Sequence, residues 1–260
     1  MTFVPILALA GLLGLVIGSF LNVLIFRGPA IWNLIDPETP RGSLWGPRSQ
    51  CPHCQTQIRS WHNIPVISYF LLRGKCADCN GPIPAHYPLV EGLGAIAAIF
   101  SVLVFGWSLA ALGAAVYLWV LIALGFIDYQ TGYLPDMLTL PLIGLGLITG
   151  WFGFYVPFFI ALVGAAVGFL TFWLIALYYR RLRGKEGMGL GDAKLLSALG
   201  AWCGSLGLAP IVLIASVSAL AWVAVSAIKG KSFAADTPIR FGPALAMAGI
   251  IVFIGQNLTI

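Results

Sequence analysis

Charged residues are scarce in this sequence: Asp, Glu, Lys and Arg make up 9% of its 260 residues, whereas 60% are hydrophobic. An ordinary soluble domain carries about 25% charged residues, so the composition excludes a protein of that kind. Only three histidines occur, and no His-Glu-x-x-His pattern, which argues against a zinc hydrolase of that type. Glycine-rich loops of the dinucleotide-binding type are also lacking, so no cofactor site can be located from such a motif.

Long apolar runs fill most of the chain, and helices of roughly 17–25 such residues cross a bilayer. The runs lack the two-residue alternation of barrel strands, so the sequence predicts an all-α integral membrane protein. The first run has no preceding basic segment, and we expect it to be a retained span and not a signal peptide. We count about eight transmembrane helices: 3–26, 88–107, 109–127, 137–153, 156–179, 193–208, 209–228 and 241–258. The sixth and seventh are short, and Gly204, Gly207 and Pro210 fit either a hairpin or a re-entrant pair.

The positive charges predict an orientation. With eight spans, all fourteen lysines and arginines fall in or beside loops on one side, and the loops near 107–109, 153–156 and 208–210 have none. Because basic loops stay in the cytoplasm, both termini are expected outside. The net charge of +5 is explained by basic loops beside anionic lipid and requires no nucleic-acid partner.

Four of the five cysteines lie in the one sizeable polar segment, 27–87, as two Cys-x-x-Cys knuckles separated by 21 residues. Four thiolates complete a tetrahedral zinc site, and a segment this short benefits from a metal in place of a large core. The predicted ligands of this structural zinc are Cys51, Cys54, Cys76 and Cys79. His53 and His62 are substitute candidates, and unliganded thiols or a redox role are the alternatives. Cys203, in an apolar run, is interpreted as a small buried hydrophobe.

The chain is accordingly predicted to have three parts. Residues 1–26 form the first transmembrane helix, 27–87 a small cytoplasmic zinc-binding segment, and 88–260 a transmembrane helical bundle. The bundle carries the acidic residues considered next.

Two aspartates lie where an apolar run meets a polar loop: Asp128 ends the third predicted span and Asp192 opens the sixth. Two spans separate them, so the chain returns to the same face and the topology permits the pair to meet. Carboxylates at membrane depth are costly and usually mark functional sites, and two that share a water are the machinery of an aspartic protease. Gly189 and Gly191 would let the backbone adopt unusual angles and a substrate strand approach closely.

Other interpretations stay open from the residues alone. Asp192 can be a plain helix cap, and Asp136, after a proline, can cap the next helix. Glu91 either lines a polar cavity or lies at the membrane interface. A proton-coupled transporter could use two intramembrane acids as a relay, although the internal pseudo-symmetry expected of a carrier is not clear. A zinc-scaffolded binding module that anchors other components would have dispensable aspartates.

An ordered set of motifs resembles the type IV prepilin peptidases, also called prepilin leader peptidase/N-methyltransferases. These are membrane aspartic proteases with a Gly-x-Gly-Asp signature. Two departures are His86, where the family usually has Arg, and Gly28-Pro29 in place of Leu-Pro; neither touches the aspartates. The matching segments are 18–27, the two cysteine knuckles, 63–69, 72–76, 87–91 and 189–192.

The resemblance implies a multi-pass protein of the bacterial inner membrane that cleaves prepilins and pseudopilins at the cytoplasmic face, for type IV pili or type II secretion. It implies Asp128 and Asp192 as the catalytic acids, in preference to Asp136. It also implies N-methylation of the new N-terminus with S-adenosylmethionine, an activity for which the residues themselves give no independent signal.

Overall fold

The computed structural model describes residues 3–36, 42–184, 189–229 and 240–258 and is almost entirely helical. Five helices are long and apolar enough to cross a membrane, which fits the predicted all-α, multi-pass membrane protein. They are α1 (Phe3–Ile31), α3 (His86–Phe105), α4 (Leu109–Thr131), α6 (Phe158–Arg183) and α7 (Leu190–Ile228). Two shorter apolar helices, α5 (Asp136–Trp151) and α8 (Gly242–Leu258), and the short α2 (Ile67–Leu71) complete the set in the described ranges.

Helix α7 corrects the predicted boundary between the sixth and seventh spans. It runs through the 208/209 boundary, with Pro210 inside the helix, and is interrupted at Gly204, whose φ of 71° and ψ of 174° are not helical. Glycine alone adopts such angles readily. A Cβ at this position would also lie 2.8 Å from the Cγ2 of Ile160. The chain therefore breaks at Gly204, so α7 consists of two helical stretches.

Helix α1 also extends past its predicted end at Phe26, to Ile31. The prediction ended the span before the first cation, Arg27. In the structure Arg27 is buried, and its guanidinium donates hydrogen bonds of 2.7 Å to the carbonyls of Ser43 and Pro47. Because these carbonyls accept hydrogen bonds from the buried guanidinium, Arg27 is accommodated inside the helix, and α1 continues to Ile31.

The chain divides into two compact units, Met1–Ala123 and Leu124–Ile260. In the first unit α1 packs against α3 through glycines. A Cβ on Gly14 would lie 2.5 Å from the Gly94 carbonyl oxygen, and one on Gly18 would lie 2.6 Å from the Cα of Glu91. This is the small-residue contact that lets membrane helices approach closely. It places Glu91 against the backbone of α1.

Helices of the second unit also pack closely at glycines. A Cβ on Gly164 of α6 would lie 2.2 Å from the carbonyl oxygen of Gly200 on α7, and one on Gly168 would lie 2.5 Å from that of Leu196. Helix α7 also packs against α5 and α8. The buried Trp202 indole on α7 donates a 2.8 Å hydrogen bond to the Leu142 carbonyl of α5. The N-terminal stretch of α7 is thereby fixed at the centre of this unit.

Candidate active site and metal centre

Asp128 lies in the last turn of α4. The helix ends where Gly132, with a φ of 74°, donates its N–H to the Asp128 carbonyl at 2.8 Å. Such a left-handed glycine is a common helix terminator. The polar loop that follows leads directly into α5. The Asp128 side chain is only 5% exposed, so this carboxyl group is buried at a helix end.

The start of α8 surrounds the Asp128 carboxyl group. The Gly242 amide donates a hydrogen bond to it, and the Arg240 guanidinium interacts with it electrostatically. A Cβ on Gly242 would lie 2.7 Å from Oδ2 of Asp128. Within the described ranges, Oδ2 has no hydrogen-bond partner. A helix N-terminus favours a nearby anion, so α8 positions this carboxyl group while one oxygen stays unpartnered.

Asp192 is the third residue of α7, and its carboxyl group interacts electrostatically with that of Asp128. Gly191 explains how α7 reaches the site, because a Cβ there would lie 3.0 Å from the Cβ of Leu134, in the loop after α4. The structure thus brings Asp128 and Asp192 together in one unit. The capping alternative for Asp192 is not found, since the N-cap residue is Gly189.

The two signature glycines differ in their surroundings. Gly191 is in close contact with Leu134, whereas a Cβ on Gly189 would have just the Gly191 nitrogen, at 3.9 Å, among its described neighbours within 4 Å. Gly189 has ordinary extended angles, φ −72° and ψ 144°, and Gly191 is helical. The unusual angles expected from the sequence are therefore not present at either glycine.

Asp136 is separate from the acid pair. It is the first residue of α5, and the cap position expected for it belongs to Pro135. Its two carboxylate oxygens accept hydrogen bonds of 2.6 and 2.7 Å from the Lys194 ammonium. Lys194, one of the fourteen cations counted in the predicted basic loops, therefore has a specific partner.

The two cysteine knuckles have the same backbone geometry. In the first, Gln55 N–H donates to the Cys51 carbonyl at 2.8 Å, and in the second Asn80 N–H donates to the Cys76 carbonyl at 3.0 Å. Gln55 and Asn80 both have positive φ angles, 58° and 55°. Each knuckle is therefore a tight turn that directs two thiols to a common point.

The four thiols fit a tetrahedral metal. The sulfurs of Cys51, Cys54, Cys76 and Cys79 all lie within 4.8 Å of one another, and those of Cys51 and Cys79 are 3.8 Å apart. Zinc–sulfur bonds of about 2.3 Å require sulfurs about 3.8 Å apart. Hydrogen bonds from the Thr56 side chain and backbone lower the pKa of Cys54 to about 6, which favours the thiolate that binds metals. A metal bound here would join the two turns.

Glu91 and several residues that the sequence analysis did not select also occupy notable positions. Glu91 accepts a 2.7 Å hydrogen bond from the Val66 amide and lines a cavity in the first unit. Asn22, which the sequence analysis included only within the matching segment 18–27, is buried beside the same cavity. Gly242 contacts Asp128, and Arg240 interacts with it electrostatically. Their one sequence signal was a cation and a Gly-Pro step directly before an apolar run.

Family models first give the class of the protein. Residues 12–105 match the bacterial peptidase A24 N-terminal domain, so the helical membrane protein is of the peptidase class. Residues 115–224 match the type IV leader peptidase family. The chain belongs to the type IV leader peptidase family. This assignment does not support the alternative of a proton-coupled transporter.

Similar curated proteins cover nearly the whole chain. A prepilin leader peptidase/N-methyltransferase of Neisseria gonorrhoeae is 44% identical over 96% of this chain and 90% of its own length. Proteins of the same name from Burkholderia pseudomallei and Aeromonas hydrophila are 43% and 42% identical, over 94% and 97% of this chain and 83% and 92% of their own. No solved structure matches the chain at a significant level.

Proposed function

We propose that this protein is a membrane-embedded aspartic endopeptidase that removes the leader peptide of type IV prepilins and pseudopilins and then N-methylates the new N-terminus. The observation that carries the proteolytic part is the interaction of the Asp128 and Asp192 carboxyl groups at the ends of two apolar helices. The substrates and the second activity come from the names of the similar proteins, which combine both functions.

In the proposed mechanism the two acids act as one unit. Adjacent carboxyl groups share a proton, so the ionised member takes a proton from water while the protonated member donates to the scissile carbonyl. Asp128 and Asp192 can exchange these roles during the cycle, and we assign neither role to one residue. The Gly242 amide and the Arg240 guanidinium are neighbours of the Asp128 carboxyl group. The close approach at Gly191 holds Asp192 beside it.

We propose that the metal held by the four cysteines is zinc and that its role is structural. A complete set of four thiolates leaves no open position for a substrate, unlike a catalytic zinc site. When bound, the metal cross-links the two knuckles of the 27–87 segment. Cys51, Cys54, Cys76 and Cys79 hold it, and the backbone turns at Gln55 and Asn80 orient them.

The proposed arrangement in the inner membrane has eight spans, with both termini outside. It treats α5 and α8 as spans and counts the two stretches of α7 separately. The acid pair and the zinc segment then face the cytoplasm, where the basic loops contact anionic lipid. In this scheme 1–26, 27–87 and 88–260 remain the three functional parts, although α1 itself continues to Ile31.

The proposed function is tested with the purified full-length enzyme, a prepilin substrate and mass spectrometry, with and without S-adenosylmethionine. We expect loss of the leader in both reactions and addition of one methyl group to the new N-terminus only with the methyl donor. A prepilin that is bound and left uncut would instead support a binding module with dispensable aspartates. Cleavage without methylation would restrict the protein to the peptidase function.

A further inference from the structure

A stretch of the cysteine segment, residues 60–71, has a polar side chain inside and its large apolar side chains outside. It consists of a 3₁₀ turn, Ser60–Asn63, that packs against α2. The residue of α2 that is buried is Ser68, whose hydroxyl donates a 2.9 Å hydrogen bond to the Trp61 carbonyl and accepts one of 3.0 Å from the Ile64 amide. The large apolar side chains are exposed instead: Trp61, Ile64, Ile67, Phe70 and Leu71. A segment surrounded by water would have the opposite arrangement, so this surface is suited to an apolar partner.

A hydrogen bond to α3 fixes how deep the 60–71 segment lies in the membrane. The Val66 amide, in the turn before α2, donates to Oε2 of Glu91 at 2.7 Å. Helix α3 has 20 residues, and at 1.5 Å per residue its length of about 30 Å just matches the hydrocarbon core of a bilayer. Glu91 is its sixth residue and lies about 7.5 Å along the axis from the helix start. The turn at Val66 is therefore held inside the boundary of the membrane.

A contact with α1 places an earlier loop of the cysteine segment at the same depth. The exposed ring of Trp45 lies 6.2 Å from that of Phe20 in α1, centroid to centroid. Because Gly18 lies against the backbone of Glu91, Phe20 is only about 3 Å along α1 from the level of Glu91. The hydrogen bonds of Arg27 to two loop carbonyls hold this loop on α1. Two separate stretches of the cysteine segment thus reach the level of the membrane-spanning part of α1.

Cations follow the exposed apolar side chains directly in the chain. Arg73 and Lys75 come just after α2, and both are exposed. Long basic side chains beside an apolar surface extend their charged ends to the lipid headgroups, where anionic phosphates attract them. Exposed aromatic and aliphatic side chains flanked by lysine and arginine are typical of an element that lies in the membrane interface. With five residues α2 is far too short to cross the bilayer, so lying in the interface is the arrangement open to it.

We propose that the 60–71 segment is inserted into the membrane interface beside the start of α3, with its exposed apolar side chains among the acyl chains and Arg73 and Lys75 at anionic phospholipid headgroups. The partner of this surface is a lipid bilayer. The inference requires that α1 and α3 cross the membrane, and it does not depend on either proposed enzymatic activity. Because Cys76 directly follows Lys75, the second cysteine knuckle begins close to where the inserted stretch ends. The metal centre is therefore held near the membrane surface.

Photo-cross-linking to lipid tests the insertion. The full-length protein with Phe70→p-benzoylphenylalanine is reconstituted into vesicles of phosphatidylethanolamine and phosphatidylglycerol and irradiated, and intact-protein mass spectrometry should show the added mass of a phospholipid. Asp36→p-benzoylphenylalanine is the matched control and should give no lipid adduct. Asp36 is exposed and follows the end of α1, whose last residue lies thirteen residues, about 20 Å, past Gly18. Leu71→p-benzoylphenylalanine repeats the measurement at a second position, and zinc content and the melting temperature identify the variants that fold.

The composition of the adducts tests the role of the two cations. Phosphatidylglycerol should exceed its share in the vesicles by on the order of fivefold, because each cation near the surface attracts anionic lipid. Arg73→Gln with Lys75→Gln, in the same labelled protein, should return the adducts to the composition of the vesicles. Adducts that already have that composition with Arg73 and Lys75 present would overturn the assignment to anionic headgroups.

Two results would overturn the insertion itself. One is a folded Phe70 or Leu71 variant that gives no more lipid adduct than the Asp36 control. The other is a covalent dimer in place of a lipid adduct, which would assign the exposed apolar surface to a second copy of the chain.

Discussion

Two carboxyl groups, the buried Asp128 in the second unit and the half-buried Glu91 in the first, have different neighbours. Gly242 closely approaches the Asp128 carboxyl group itself, whereas Gly18 closely approaches the backbone of Glu91. Asp128 has a second carboxyl group and a cation near it, whereas Glu91 has a backbone amide and a serine hydroxyl. A pair of acids can exchange protons with water, whereas the Glu91 carboxylate accepts the hydrogen bond of the Val66 amide and thereby fixes the turn at Val66. The neighbours therefore distinguish a carboxyl group that can work in an acid pair from one that holds the surrounding backbone.

Removal of either acid of the pair should have the largest effect. Asp128→Asn or Asp192→Asn is expected to reduce prepilin cleavage by on the order of 10³-fold or more, and the double variant should lose little beyond either single one, because the residues act as a unit. Initial rates of cleavage in membranes with equal enzyme content measure this. Normal cleavage by either single variant would remove that residue from the mechanism.

The same variants also test whether cleavage and methyl transfer take place at separate sites. Asp192→Asn should fail to methylate a full-length precursor, whose target amine is never released, yet should methylate a precleaved substrate. Methyl transfer to a synthetic mature N-terminus is the measurement. If it vanishes while folding and zinc content are intact, the two activities share residues.

A methyl group at Gly242 should have the next largest effect. The Cβ of Gly242→Ala would lie 2.7 Å from Asp128 Oδ2, so either the carboxyl group or α8 must move. A displacement of about 1 Å at a reacting group costs roughly 10²-fold in rate. Gly255→Ala on the same helix is the matched control, because no described atom lies within 4 Å of its added Cβ. Equal cleavage rates for the two variants would show that Gly242 does not position Asp128.

The contact at Gly242 shows where prediction from sequence ends. Hydrophobic run lengths predicted a helical membrane protein, and the spacing of the knuckles predicted the four cysteines that do come together. Both are local patterns. That α8 supplies neighbours to Asp128 depends on which helices are adjacent. Helix adjacency cannot be read directly from a single sequence. The catalytic roles of the two aspartates, and zinc as the metal, stay predictions.

The break in α7 illustrates the same limit within one element. Gly204, Gly207 and Pro210 lie within seven positions, and each can interrupt a helix. The choice of Gly204 follows from its non-helical angles and from the closeness of Ile160 on α6. The position of Asn22 beside the cavity could likewise not be predicted from the sequence. Its amide is oriented by the hydrogen bond from Nδ2 to the Tyr87 carbonyl on another helix, which leaves Oδ1 without a partner among the described residues.

Loss of the metal should affect the first unit more than proteolysis. Cys51 and Cys76 line the cavity as well as the metal centre, so Cys51→Ser with Cys54→Ser should loosen its wall. We expect no bound zinc by metal analysis, methylation reduced about tenfold or a lower melting temperature, and cleavage within about threefold of wild type. Cys203→Ser removes a thiol outside the cluster and serves as the control. Cleavage that falls in parallel with methylation would show that the metal segment also supports the acid pair.

The smallest effect is expected at Asp136, the acid that chain position alone would make a rival of Asp128. Both of its oxygens are engaged by Lys194, and the pair is accessible, with the Asp136 and Lys194 side chains 55% and 26% exposed. Exposed ion pairs contribute about 0–1 kcal/mol, so Asp136→Asn should cleave prepilin within about fivefold of the wild-type rate. Any loss it does show should be shared by Lys194→Met, because each removes the same ion pair. Both variants are assayed on the same prepilin. If Asp136→Asn lost as much cleavage activity as Asp128→Asn, the wrong acid would have been assigned to the catalytic pair.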